Sequence, residues 1–111
     1  MERIIKQVIW TSRASKDLRQ ITSFYSKLYG WDKALDIAFQ IRKETEIFEN
    51  SEIDINSIGA PDEFFKHLKR DYRKYIFHHC KITYRVGNDT IYIVRVFDTR
   101  QNPSKNLQPW P

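Results

Sequence analysis

The apolar residues of this chain change their spacing once. From Ala14 to Phe48 they recur every three or four positions, and from Tyr72 onward they alternate or run together in short stretches. A repeat of three and four marks one face of a helix, and a repeat of two marks one face of a strand. A chain of 111 residues that makes this switch has room for one core, with a helical layer on one sheet. Ile4–Trp10, rich in Ile and Val, reads as a first strand. Ser12 is a candidate N-cap, and Ala14, Leu18, Ile21, Tyr25 and Leu28 make a helical stripe over roughly residues 13–29. Gly30 stands where a helix stops. Asp32 is placed to cap a second helix, whose stripe of Ala34, Ile37, Ala38, Ile41, Thr45 and Phe48 runs to about residue 50. A connection of about three residues makes the two helices an antiparallel hairpin.

Residues 51–65 contain Gly59-Ala60-Pro61 and read as a loop, with Asp62 capping a short turn through Phe65 and Leu68. Tyr72–Phe77, Cys80–Val86 and Thr90–Asp98 are three strands. They are joined by His78-His79 and Gly87-Asn88-Asp89, connections short enough to make them antiparallel neighbours. The expected fold is therefore α+β: an N-terminal strand, an antiparallel helical hairpin, then a three-stranded antiparallel meander completing one sheet. Residues 1–103 are expected to form a single domain and residues 104–111 a tail. Trp110, between two prolines, reads equally as part of a disordered end or as an anchor docked in a groove.

The charge is unevenly placed. The net charge is +5, yet residues 1–65 hold nine basic and eleven acidic side chains, and residues 66–100 hold nine basic and three acidic. Residues 44–63 hold seven acids and no base. A one-sided basic region fits a polyanion, an acidic protein partner, or a solvated face. On the second meander strand, Cys80, Ile82, Tyr84 and Val86 point one way and Lys81, Thr83 and Arg85 the other. A helical hairpin covers one face of a small sheet, so the opposite face is expected to be a shallow open surface. Its basic groups are drawn from Arg73, Lys81, Arg85, Arg95 and, at the strand exit, Arg100, interleaved with Tyr and Phe such as Tyr75. Such a surface suits nucleic acid and suits an amphipathic partner segment equally well.

Other chemistry is poorly supported. His78 and Cys80 lie two apart, but zinc needs three or four ligands and nothing nearby completes a set, so no metal or cofactor is expected. Cys80 sits on the apolar side of its strand, as a small hydrophobe. Trp10, Trp31 and Tyr25 read as core or hairpin packing. Arg100 is the leading functional candidate, against a structural salt bridge with Asp98. With 41% hydrophobic and 14% aromatic residues the composition is that of a folded globule. No apolar run approaches a bilayer span and no secretory leader is evident, so a cytoplasmic protein without a membrane partner is expected.

Several local patterns occur together in one order. Val8-Ile9-Trp10-Thr11 precedes Ala14-x-x-Asp17-Leu18-x-x-Ile21, and Tyr25, Gly30, Ala34 and Ile41 follow on the hairpin. Then come Lys81-Ile82-Thr83-Tyr84-Arg85-Val86, Ile91-Tyr92-Ile93-Val94-Arg95-Val96 and Phe97-Asp98-Thr99-Arg100-Gln101-Asn102-Pro103. Over about residues 4–103 this series resembles the RelE/ParE superfamily of bacterial toxins. The resemblance implies the toxin of a type II toxin–antitoxin pair, held in a hetero-oligomer by an acidic, partly disordered antitoxin. The family divides on activity: RelE-like members cleave mRNA on the ribosome with basic side chains, and ParE-like members poison DNA gyrase. Arg73, Lys81 and Arg100 fall near the basic positions of the RelE-like site, with Tyr75 as a substitute group. The stretch Gln101 to Gln108, where that branch has its general base or stacking group, contains no Tyr, His, Glu or Asp. RNA cleavage needs its 2′-hydroxyl activated, and an arginine stays protonated and makes a poor base. The resemblance therefore points to the ParE-like branch. A ribosome-dependent endoribonuclease and a non-toxic binding module are the alternatives.

Overall fold

Thr11, rather than Ser12, starts the first helix in the computed structural model, which describes residues 2–46, 49, 51–54, 60–61 and 72–100. The Thr11 hydroxyl accepts the Ala14 amide at 3.2 Å, which satisfies one of the amides the first turn leaves unpaired. Helix α1 runs Ser12–Tyr29 and α2 runs Trp31–Glu46. The connection is a single residue, shorter than the spacing predicted. Gly30 closes α1 through its amide to the Ser26 carbonyl at 2.9 Å, and its own carbonyl accepts the Ala34 amide at 3.1 Å to open α2. Asp32 lies inside the first turn of α2 instead of capping it, where its charge suits the helix dipole. Gly30 does both jobs at φ 87°, a conformation costly for any residue with a Cβ.

The N-terminal strand is two strands. β1 (Glu2–Ile5) and β2 (Gln7–Trp10) are separated at Lys6, whose amide bonds the Asp89 carbonyl at 2.7 Å. β1 pairs antiparallel with β3 (Ser51–Asp54) as a two-stranded ribbon, inside a stretch expected to be loop. β4 (Ala60–Pro61) lies in the same stretch. Four-residue strands with partners some 50 positions away carry little local signal. The remaining strands are β5 (Tyr72–Phe77), β6 (Cys80–Val86) and β7 (Thr90–Asp98), at the bounds expected. The main sheet has the order β2-β7-β6-β5-β4. The meander is antiparallel, but β2 joins β7 in parallel, so the sheet is mixed. The expected short turn from Asp62 through Leu68, Phe48 at the predicted end of the second helix, and the tail with Trp110 lie outside the described residues.

Strand β7 carries a register shift that its sequence conceals. Thr83 faces Arg95 but Tyr84 faces Ile93, so Val94 is an extra residue. The shift lets Ile91, Ile93 and Val96 all enter one core, although they do not share one alternation. That core joins Ala14, Leu18, Ile21 and Tyr25 of α1, Ala34, Ile37 and Ile41 of α2, and Cys80, Ile82 and Tyr84 of β6. Beyond Trp10, no strand among the described residues lies beside the edge of β7. Thr11 Oγ1 donates to the Ile93 carbonyl at 2.9 Å and Asp17 Oδ2 accepts the Val96 amide at 3.0 Å, so α1 side chains finish that edge.

Candidate functional site

Two buried carboxylates organise the cations at the β7 end of the sheet. Asp17, one turn into α1, accepts Arg95 Nε at 2.8 Å and the Val96 amide at 3.0 Å on Oδ2, while Arg13 Nε lies 3.2 Å from Oδ1. Both members of the Asp17–Arg95 pair are almost fully buried. Asp98, with no exposed surface, closes the strand. Its Oδ1 accepts the Arg100 amide at 2.8 Å and Arg100 Nε at 3.2 Å. Its Oδ2 accepts the Tyr25 hydroxyl at 2.6 Å and an Arg100 terminal nitrogen at 3.0 Å. Arg100 also donates to the Tyr29 hydroxyl at 3.2 Å, and its guanidinium sits 5.5 Å from the Tyr25 ring centre. Both clusters tie the β7 strand to α1.

The titrations follow from this geometry. Burial alone would raise the Asp98 pKa, but the hydrogen bonds from Arg100 and Tyr25 outweigh it and hold the carboxyl below its ordinary value. Burial first, and then donation to Asp98, raises Tyr25 well above the usual phenol range. The Asp98 contact, with help from Tyr29, raises Arg100 further. Burial pushes the Cys80 thiol up to about 11, opposed by its contact with the Tyr25 hydroxyl at 3.4 Å. A thiol so held is protonated at neutral pH and a poor nucleophile. His78 bonds Gln40 of α2 at 2.9 Å. Among the described residues no three His, Cys, Asp or Glu side chains gather as metal ligands.

The face expected to be open is closed along its central row. Lys81 is 5% exposed, Thr83 0% and Arg95 2%. Arg95 is therefore not a surface group, and its guanidinium is turned to Asp17. Nor do the proposed catalytic cations converge. Arg73 lies opposite Tyr84, on the core side of the sheet, while Lys81 lies opposite Ile76 and Phe97 on the other side. Tyr75 is on the core side with Arg73, its ring 6.0 Å from that of Tyr84, and burial raises its hydroxyl pKa. Arg100 lies past the strand end, on Asp98. Arg85 keeps a half-buried position with its guanidinium 4.2 Å from the Tyr92 ring centre, and Tyr72 is its other cross-strand neighbour.

A concave surface lies on the helices. Ser15, Leu18, Arg19 and Thr22 of α1 face Trp31, Leu35, Ala38 and Arg42 of α2 across a groove of about 440 Å³. Its floor is apolar and its two charged side chains are both arginines. Trp31, expected to be packed, is 59% exposed, and Leu35 and Phe39 are 57% and 61% exposed. The signal was present in the sequence: positions 31, 35 and 39 repeat every four residues but lie off the inward stripe of Ala34, Ile37 and Ile41. Trp10 does pack. Its indole donates to Thr45 at 3.0 Å and Arg42 lies 4.7 Å over its ring.

The comparisons with known proteins agree with this fold. The family described as "ParE toxin of type II toxin-antitoxin system, parDE" matches residues 8–103. A solved structure described as "Chromosomal ParDE TA system from P. aeruginosa" is similar at a TM-score of 0.68 and 22% sequence identity, covering 86% of this chain and 96% of that one. At that identity the likeness speaks for the fold. No curated protein matches the chain.

Proposed function

Because the chain belongs to the ParE toxin family of type II toxin–antitoxin systems, we propose that it arrests growth in the cytoplasm by poisoning DNA gyrase and is neutralised by a cognate antitoxin. The observation that carries the choice of target is the placement of the cations. A phosphoryl-transfer site needs its cations aimed together at one developing charge. Here Arg73 and Lys81 lie on opposite faces of the sheet and Arg100 is engaged by Asp98. That arrangement supports a toxin that acts by binding. Arg85, half-buried beside Tyr92, and Arg100, whose side chain stays 38% exposed at the strand exit while it holds Asp98, are the cations best placed to meet a partner, and the buried Lys81 and Arg95 support the fold around them.

The antitoxin is proposed to seat an amphipathic acidic segment in the groove between α1 and α2. Apolar side chains would fill the floor beside Leu18 and Leu35, and carboxylates would meet Arg19 and Arg42. Buried contacts of this kind set the dissociation rate, while rim charges mainly set the association rate. Raising salt should therefore slow association more than it speeds dissociation. Expression of the chain alone should stop growth with DNA breaks and filamentous cells, and the co-expressed antitoxin should restore it. Arrest with cut transcripts and intact DNA would assign the endoribonuclease reading, and normal growth at high expression would leave a binding module.

A further inference from the structure

We propose that the sheet face turned away from the helices holds a short single-stranded DNA segment, laid across the row Tyr72, Arg85, Tyr92 and Ile9. The choice of DNA over RNA rests on the gyrase reading, but the row itself does not. That face is closed at Lys81, Thr83 and Arg95, and it stays partly open at the end nearer the turn Gly87-Asn88-Asp89. There the four residues stand directly opposite one another on β5, β6, β7 and β2. They cross the sheet over about 14 Å. None belongs to the core. Tyr72, Arg85 and Tyr92 are half-buried, and Ile9 is 38% exposed. The Tyr92 ring has the Arg85 guanidinium 4.2 Å from its centre, and a Cβ at Gly87 would meet its edge at 3.4 Å.

The charge on this row selects a polyanion. Arg85 makes no ion pair among the described residues, and its Nε, cut off from solvent, donates no hydrogen bond. Lys74, two positions after Tyr72 on the same face of β5, makes neither among the described residues. The five strands of the main sheet contain one acid, Asp98, and it is buried against Arg100. The described acids beside the sheet are engaged elsewhere: Asp89 accepts the Thr90 hydroxyl at 3.0 Å, and Glu49 lies 3.4 Å from the Val8 amide. The Arg85 charge is therefore uncompensated by the protein while it lies between two tyrosines. Unpaired cations among aromatic rings suit a single strand, whose phosphates meet the charges and whose unstacked bases lie on the rings. A duplex keeps its base faces covered and would use the charges alone.

The test is fluorescence anisotropy of a labelled oligothymidylate of about 15 nucleotides, titrated with the full chain up to about 100 μM. The wild type should bind with a dissociation constant of about 1–100 μM, and two phosphate contacts should weaken it about sevenfold between about 50 and 200 mM salt. Arg85→Gln and Lys74→Gln should each weaken binding about three- to tenfold and flatten the salt dependence to about threefold. Lys33→Gln removes the same charge from the exposed side of α2 and should change nothing. Tyr92→Leu should weaken oligothymidylate binding about tenfold, yet leave inorganic polyphosphate, which has no bases, bound as before. Lys74 has no contact to lose, so its variant remains informative even if the others misfold. Absence of binding, an equal loss in Lys33→Gln, or undiminished binding by Lys74→Gln overturns the proposal. Oligouridylate bound tenfold tighter than oligothymidylate overturns the assignment to DNA. Gyrase inhibition without oligothymidylate binding overturns this inference alone, whereas binding without gyrase inhibition overturns the gyrase reading and leaves the row standing.

Discussion

Replacing Asp17 by Ala should come close to unfolding the protein, and the reason lies in what it would leave behind. Arg95 and Asp17 have side-chain exposures of 3% and 5%, so the guanidinium cannot turn to water when its carboxylate is removed. An exposed ion pair contributes about 0–1 kcal/mol because solvent takes over either partner. Breaking a buried one from one side costs about 3–5 kcal/mol, since the remaining charge stays desolvated. The Val96 amide loses the same acceptor, which places the expected loss at the upper end of that range. Small domains are stable by about 5–15 kcal/mol, so much of the total is at stake. With a urea slope of about 1–3 kcal/mol per molar, the unfolding midpoint should fall by more than about 1 M. Replacing both groups tells the two effects apart. Asp17→Leu/Arg95→Met removes the charge together with its partner, and it should recover most of the loss. A loss below about 1 kcal/mol for Asp17→Ala, or a double variant as unstable as the two single losses added, would refute the reasoning.

Three smaller predictions follow from the same geometry. Asp98 titrates below its ordinary value, so its contribution is present above that value and is lost as pH falls through its folded pKa. Arg100→Ala removes the main opposing partner, and acid unfolding followed by circular dichroism should move to higher pH. The Cys80 thiol, raised from 9.0 to about 11, stabilises the fold below pH 9 and loses that contribution as pH rises towards 11. At pH 8 a thiol reagent should label the folded protein far more slowly than the urea-unfolded chain. Gly30→Ala should cost about 1–2 kcal/mol in chemical denaturation through backbone strain at φ 87°, since a Cβ there meets nothing within 4 Å.

The helical hairpin and the meander were legible because their signals are local. The stripe from Ala14 to Tyr25 and the alternate residues Cys80, Ile82 and Tyr84 each supply one side of the core, and each is read within one element. What was not legible depends on distant partners. Ser51–Asp54 becomes a strand only because β1 lies beside it. The extra residue at Val94 is defined by pairing across two strands and is invisible in β7 alone. The same holds for the cations. Alternation sent Arg95 to an open face, but Asp17, 78 positions away, draws its guanidinium into the interior. Arg100 makes the ion pair with Asp98 that stood as the alternative to a functional role, and a sequence does not show Tyr25 and Tyr29 completing that cluster from α1. The groove was missed for the opposite reason. Trp31 was assigned to packing by its residue type, although it falls with Leu35 and Phe39 on the outward side of α2.

The most direct test of the proposed function is a supercoiling assay with purified gyrase, relaxed plasmid and the antitoxin-free chain, run beside a translating-ribosome cleavage assay with the same protein. Binding without a convergent cationic site predicts loss of supercoiling with accumulated cleaved plasmid, reversal by the antitoxin, and intact mRNA. Unimpaired supercoiling together with ribosome-dependent mRNA cleavage that disappears in Arg100→Ala would contradict it, and would show that the cations reorganise around Arg100 when the ribosome binds.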